Sequence, residues 1–282
     1  MASETPEWMR TPPDDEAQSA PPIDVSRPSI ARMYDYFLGG KDNFAVDREA
    51  CAAMKQACPE LIDIANADRA FLRRAVNHLV GEAGIRRIID IGSGLPTARN
   101  VHEVAHEHAP QTQVVYVDND PIVLAHGRAL LADNDTTTVV HGDVLRPAEL
   151  LAHPEVTRLL DGEEPVALLL VGVLHYVLAE EDAEGIVATL LAALPAGSYL
   201  CLASLVNDGQ PNAARAEEVG GQAVGRLKFR TSAEVRRLFD GLELVAPGFG
   251  YVTDWRQDDP TVVTDPETMW CVGAVARTPA AQ

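Results

Sequence analysis

The stretch Arg87–Asn100, RIIDIGSGLPTARN, limits what this chain can fold into more than any other. A β-branched apolar run, Ile88, Ile89 and Ile91, leads through Gly92 and Gly94 into a helix-compatible segment, which in order is a strand, a tight turn and a helix start. Glycines at such a turn let the backbone approach a ligand where a Cβ would collide, and the helix N-terminus that follows offers free N–H donors. A nucleotide-like ligand suits that geometry. A strand-to-helix turn can also use Gly-x-Gly for geometry alone, so the neighbouring segments must decide.

From Arg86 onward short apolar runs alternate with helical patterns. Strands are expected near 86–91, 113–118, 137–140, 166–172, 197–205, 243–246 and 268–276, and helices near 97–109, 121–132, 147–160, 180–194, 212–221 and 231–240. Strands separated by helices imply parallel crossovers and a mostly parallel, doubly wound α/β sheet of seven strands covered on both faces. No long helix separates the last two strands, which are expected to close the sheet as an antiparallel hairpin.

The N-terminal part reads differently. Residues 1–25 hold five prolines among Glu, Asp, Ser and Ala and are expected to form a disordered tail. Residues 26–82 are expected to form a helical arm or lid, and 83–282 the ligand-binding domain. Within the arm, Ser26 is the expected cap and Pro28 a first-turn residue of a helix that Gly39 stops, with Ile30, Met33, Tyr34, Phe37 and Leu38 on one face. Two further helices are expected at about 46–57 and 60–81.

With 46% hydrophobic residues, 282 residues can bury a substantial core. A formal net charge of −19 disfavours nucleic acid or an anionic membrane surface as main partner. The cysteines at 51, 58, 201 and 271 form no Cys-x-x-Cys pair, no apolar leader is present, and no run reaches the roughly 20 apolar residues of a membrane helix, so reduced cysteines and a cytoplasmic location are expected.

In open parallel sheets ligands bind beyond the carboxyl ends of the strands. Four such places carry candidates. Asp90, Gly92, Ser93 and Gly94 form the first turn. Asp118, followed by Asn119, ends the second strand and could accept from vicinal hydroxyls such as those of a ribose. Asp143, followed by Val144, stands after the third strand and could take an exocyclic amine. Leu174, His175 and Tyr176 stand at the mouth of the central strand. Each has a structural alternative: Asp118 or Asp120 could cap the helix that Pro121 begins, Asp143 could be a turn aspartate, and His175 a satisfied, half-buried histidine. One motif is set aside. His102-Glu103-Val104-Ala105-His106 fits the His-Glu-x-x-His pattern of zinc proteases, but it lies on the helix after the glycine turn and Ala109 stands where the longer pattern needs glycine, so no metal is expected.

The set Asp90-x-Gly92-x-Gly94, Asp118, Asp143 and a terminal hairpin resembles the class I, Rossmann-like S-adenosylmethionine-dependent methyltransferases. The segment ARMYDYFLGGKDNFAVDRE with DIGSGLPTARNVHEVA further resembles an actinobacterial methyltransferase family long described as a domain of unknown function. The resemblance implies S-adenosylmethionine as cofactor, with Gly92 and Gly94 against its methionine part, Asp118 on the ribose, Asp143 and Val144 at the adenine and Asp90 near the amino group. It also implies an arm that folds over the cofactor, which makes Tyr34, Gly40, Lys41, Asp42 and Asn43 lid and site candidates. The expected reaction is O- or N-methylation of a small-molecule acceptor, with His175 the first candidate base and Tyr176 and Asp42 weaker ones. The loops 207–222 and 248–265 are expected to line the acceptor pocket, where Tyr251 and Trp255 could stack on a flat molecule. The competing readings are a non-catalytic S-adenosylmethionine-binding protein and a nicotinamide-dependent oxidoreductase, the latter opposed by Thr97 where its third glycine would stand.

Overall fold

The structure, a computed structural model, describes residues 23–96, 99–130, 135–259, 261–262 and 264–279, so the expected tail up to residue 22 lies outside the described residues. Three helices come first: α1 (Ile30–Phe37), α2 (Ala45–Ala57) and α3 (Leu61–Val76), the last running into a π-helical turn at Asn77–Glu82. The sheet follows as β1 (Arg87–Ile91), β2 (Gln113–Asp118), β3 (Thr137–His141), β4 (Ala167–Val171) and β5 (Tyr199–Leu205), all parallel. Between them lie α4 (Val101–His108), α5 (Pro121–Leu130), α6 (Pro147–Leu151), α7 (Pro154–Leu160) and α8 (Ala183–Ala192). After β5 come α9 (Pro211–Val224), α10 (Ser232–Arg237) and the short strands β6 (Glu243–Leu244), β7 (Gly250–Tyr251) and β8 (Cys271–Arg277).

The strand order is β3-β2-β1-β4-β5-β8-β6. The seven expected strands are all present, and β6 and β8 are antiparallel neighbours as the pattern predicts. Their placement adds something the pattern does not contain: β8 inserts between β5 and β6, and the extra strand β7 pairs with it through Gly250 and Tyr251. Strand β4 is buried on both faces, as an uninterrupted Ala-Leu-Leu-Leu run requires in a covered parallel sheet. Because β1 lies between β2 and β4, the crossovers leave it in opposite directions, and the crevice at the carboxyl ends of β1 and β4 is the binding position of a doubly wound sheet.

Two local expectations are corrected. The stretch 147–160 is not one helix, because Pro154 has no N–H to continue the ladder and instead starts α7 at its first position. Ser26 is not the cap of α1; its backbone and hydroxyl both donate to Asp24, while Ser29 takes the cap position and accepts from the Arg32 amide.

The arm is tied down by charges buried in it. Arg32 donates from Nε to Asp47 Oδ2 at 2.7 Å, and Asp47 also accepts the backbone N–H groups of Ser29 and Phe44. Asp35 in the same way accepts from the Asp42 amide and the Asn43 side chain, and a Cβ on Gly40 would collide with its carboxylate. One continuous apolar core runs from Met33 through Cys51, Phe71 and Leu79 to the sheet. The four cysteines are free and buried. No described helix is long and apolar enough to cross a membrane.

Candidate functional site

A cavity of about 270 Å³ opens at the carboxyl ends of β1, β2, β4 and β5, beneath α1–α3. Its floor begins at the glycine turn. Gly92 and Gly94 have φ of +71° and +68°, the left-handed region where an L side chain is strained. A Cβ on Gly92 would strike the Val173 side chain, whereas one on Gly94 would meet nothing within 4 Å. The turn is held by Val117, whose carbonyl accepts the Gly92 amide at 2.7 Å.

Asp118 closes this turn onto β2. Its Oδ2 accepts the Gly94 N–H at 2.9 Å and its Oδ1 the Asp120 N–H at 2.9 Å. Burial raises its pKa, while those backbone bonds oppose the shift. Asp120, not Asp118, caps α5 through the Ile122 amide, and it also receives the Ser29 hydroxyl from the arm. Asp143 accepts the Leu145 amide at 3.0 Å, so it is a turn aspartate that also faces the cavity. Ser93, Asn119 and Val144 line the same wall.

Asp90 is buried at the end of β1 and lines the cavity. Burial pushes its carboxyl up to about 7, with Arg69 opposing and Asp118 adding to the rise. A carboxyl whose folded-state pKa exceeds its unfolded value binds its proton more tightly when folded. Its contribution to stability is therefore complete below about pH 4 and is lost as pH rises through about 7. Asp90→Asn is accordingly expected to raise the melting temperature of the ligand-free chain at pH 8 by about 3 °C or more, with little change at pH 4. Scanning fluorimetry at the two pH values checks this, and an equal shift at both would contradict it.

At the mouth of β4 the expected trio separates. Leu174 is buried away from the cavity and its carbonyl accepts from Arg230 at 2.7 Å. His175 and Tyr176 do line the cavity. His175 is only 5% exposed, and burial together with the Arg230 charge pushes its imidazole down to about 3. Its Nδ1 has no hydrogen-bond partner among the described residues. A ring that weakly basic is a poor proton acceptor at neutral pH. Burial pushes the Tyr176 phenol up.

Of the arm candidates, Tyr34 reaches the cavity, with its hydroxyl donating toward Asp68 Oδ2 at 3.3 Å. Gly40, Lys41, Asp42 and Asn43 do not line it: the loop is folded back on Asp35, and Asp42 stands 3.7 Å from His126 on the outside. Tyr251 does not line the cavity: its backbone pairs with Val272 and its side chain packs against the core. Trp255 is 1% exposed and packs edge-on against Phe71 with ring centroids 5.4 Å apart, so it belongs to the core under α3. From residue 211 on, the first expected loop is part of α9 (Pro211–Val224), and the wall on that side comes from Arg226, Leu227 and Phe229.

The wall also holds polar residues of α3 that the sequence pattern did not single out. Asp68 and Arg69 of α3 both line the cavity. The signal for Asp68 was an acid inside an apolar stripe, four residues from Ile64 and four from Leu72. His102 and His106 are engaged elsewhere, by the Tyr116 hydroxyl and the Thr112 carbonyl.

A family model described as S-adenosyl methyltransferase matches residues 16–279. Among solved structures, that of a candidate methyltransferase from Thermobifida fusca YX is 42% identical, with a TM-score of 0.87 over 91% of this chain and 97% of that one. A DUF574 family protein from Streptomyces avermitilis MA-4680 is 43% identical, also with a TM-score of 0.87, over 92% of this chain and all of that one, 100%. No curated protein matches the chain.

Proposed function

The chain belongs to the S-adenosyl methyltransferase family, whose methyl donor is S-adenosylmethionine, and we propose that it methylates an oxygen or nitrogen of a small-molecule acceptor held beneath the helical arm. The observation that carries this reading is the buried Asp118, which accepts the Gly94 N–H and so locks the end of β2 to the glycine turn after β1. The residues suit the cofactor. The open side of Gly94 leaves room for a ligand where a side chain would stand, and Asp90, Asp118 and Asp143 offer acceptors for an amino group, ribose hydroxyls and an adenine amine in turn. Arg69, beside Asp90 in the wall, offers a cation to a carboxylate.

S-adenosylmethionine supplies, when bound, a methyl group already activated on a positively charged sulfur. The chain's part is then to fix geometry and exclude water. Tyr34 and Phe37 of α1, Met54 of α2, and Leu61, Ile64 and Leu72 of α3 put an apolar roof over the strand ends. In this reading residues 26–82 are the lid over the cofactor and 83–282 the domain that binds it. The enclosure under this roof, together with 42 acidic against 23 basic residues, favours a small molecule over a nucleic acid as acceptor. Incubating the protein with methyl-labelled S-adenosylmethionine and a cell extract is expected to move label into a low-mass product. Tight binding of the cofactor with no transfer to any extract component would contradict the reading.

A further inference from the structure

Away from the glycine turn the cavity lining is largely apolar and aromatic, its Arg226 already paired with Glu181 and its His175 neutral, and it holds one buried carboxylate that the cofactor assignment leaves unused. Its walls include Phe37, Met54, Leu61, Tyr176, Leu227 and Phe229. Asp68 reaches into it from α3 across to the end of β4, where its Oδ2 lies 3.2 Å from the point a Cβ on Gly172 would occupy. The acid is 5% exposed. Tyr34 donates to it at 3.3 Å and the Cys271 thiol stands 3.7 Å away. A carboxylate buried among apolar groups is costly unless something pairs with it. Two long, weak contacts leave most of its accepting capacity free.

We propose that Asp68 takes the proton of the methyl acceptor, and that the acceptor is a neutral, largely apolar aromatic molecule offering one ionisable hydroxyl to that carboxylate. The proposal rests on the methyl-transfer reading above. In the step the hydroxyl's O–H bond breaks and its proton passes to the Asp68 carboxylate. The oxygen's electron pair forms the bond to the methyl carbon as the carbon–sulfur pair returns to sulfur. The products are an ether, a thioether and a neutral Asp68, which returns its proton to water when the cavity opens. A hydroxyl is preferred to an ammonium on charge. The cofactor already brings one positive charge, and a second in the same apolar chamber would exceed what Asp68 can neutralise.

The surrounding groups fit this role. Burial raises Asp68 to about 6, with Tyr34, Cys271 and Arg69 opposing, so at neutral pH it is ionised yet more basic than an ordinary aspartate. Tyr34 on α1, Tyr176 after β4, Cys201 on β5 and Cys271 on β8 all face or feel this carboxylate, and burial pushes every one of them up, out of the neutral range. His175, at about 3, stays neutral.

The test uses 4-nitrophenol, whose phenol and phenolate differ in colour, titrated into the full chain with S-adenosylhomocysteine present. The wild type is expected to bind the phenol and to lose about tenfold in affinity as the probe ionises, because phenolate would face the Asp68 charge. In Asp68→Asn that loss should disappear while S-adenosylhomocysteine affinity is retained. Asp90 titrates in the same window and is common to both proteins, so the comparison cancels it. The same pH dependence in Asp68→Asn, no saturable binding of 4-nitrophenol, or tighter binding of benzylamine would overturn the proposal. Failure of the wild type to bind S-adenosylhomocysteine would instead overturn the methyl-transfer reading beneath it.

Discussion

Asp118→Ala is expected to weaken binding of S-adenosylhomocysteine by about 100-fold, the largest effect of any single change in the cavity. Hydrogen bonds to a charged acceptor contribute about 1.5 kcal/mol each, and a carboxylate that grips a pair of vicinal hydroxyls supplies two. The same carboxylate accepts the Gly94 and Asp120 amides, so its removal also frees the turn from β2. Asp118→Asn retains an acceptor for one amide and should fall between the two. Calorimetry separates these cases, and unchanged affinity in Asp118→Ala would remove Asp118 from the cofactor site.

Asp47→Ala is expected to lower stability by about 3–5 kcal/mol, because it leaves the Arg32 guanidinium buried without its counter-charge. At the 2–4 °C per kcal/mol usual for a domain of this size, the melting temperature should fall by about 10 °C. The loss is more than one ion pair. Asp47 accepts the amides of Ser29 and Phe44, the residues just before α1 and α2, and so ties the two helix starts together, and Arg32 in turn donates to the Asp24 and Arg27 carbonyls. Replacing both partners together, Arg32→Met with Asp47→Leu, removes the uncompensated charge and should recover part of the loss. Scanning calorimetry of the single and double variants checks this. A shift below about 2 °C for Asp47→Ala would mean that the arm is held by its apolar face alone.

The sheet was legible because burial on both faces writes each central strand as an unbroken apolar run, as in Ala167–Val171, and the turn after β1 needs glycine because its backbone enters the left-handed region. The strand-end acids followed from the topology. What stayed hidden depends on contacts between distant segments. Asp68 looks like one more charge on a helix until α3 is laid across the end of β4. Trp255 reads as a loop aromatic, yet Phe71, 184 positions earlier by number, buries it. Pairing alone cannot order strands either: an antiparallel β6 and β8 are compatible with either one at the edge, and only the full-length β5–β8 register, Tyr199 to Arg277 through Leu205 to Cys271, decides it. His175 shows the same limit electrostatically, since its basicity is set by burial and by Arg230, 55 residues away by number.

The crevice at the ends of β1, β2 and β4 suits S-adenosylmethionine and not another nucleotide. Isothermal calorimetry of the wild-type chain with S-adenosylhomocysteine and, separately, with NAD tests it most directly. Saturable binding of S-adenosylhomocysteine at one site per chain, displaced by S-adenosylmethionine, is expected, with no binding of NAD. Binding of NAD at that stoichiometry, or no heat with S-adenosylhomocysteine, would contradict it.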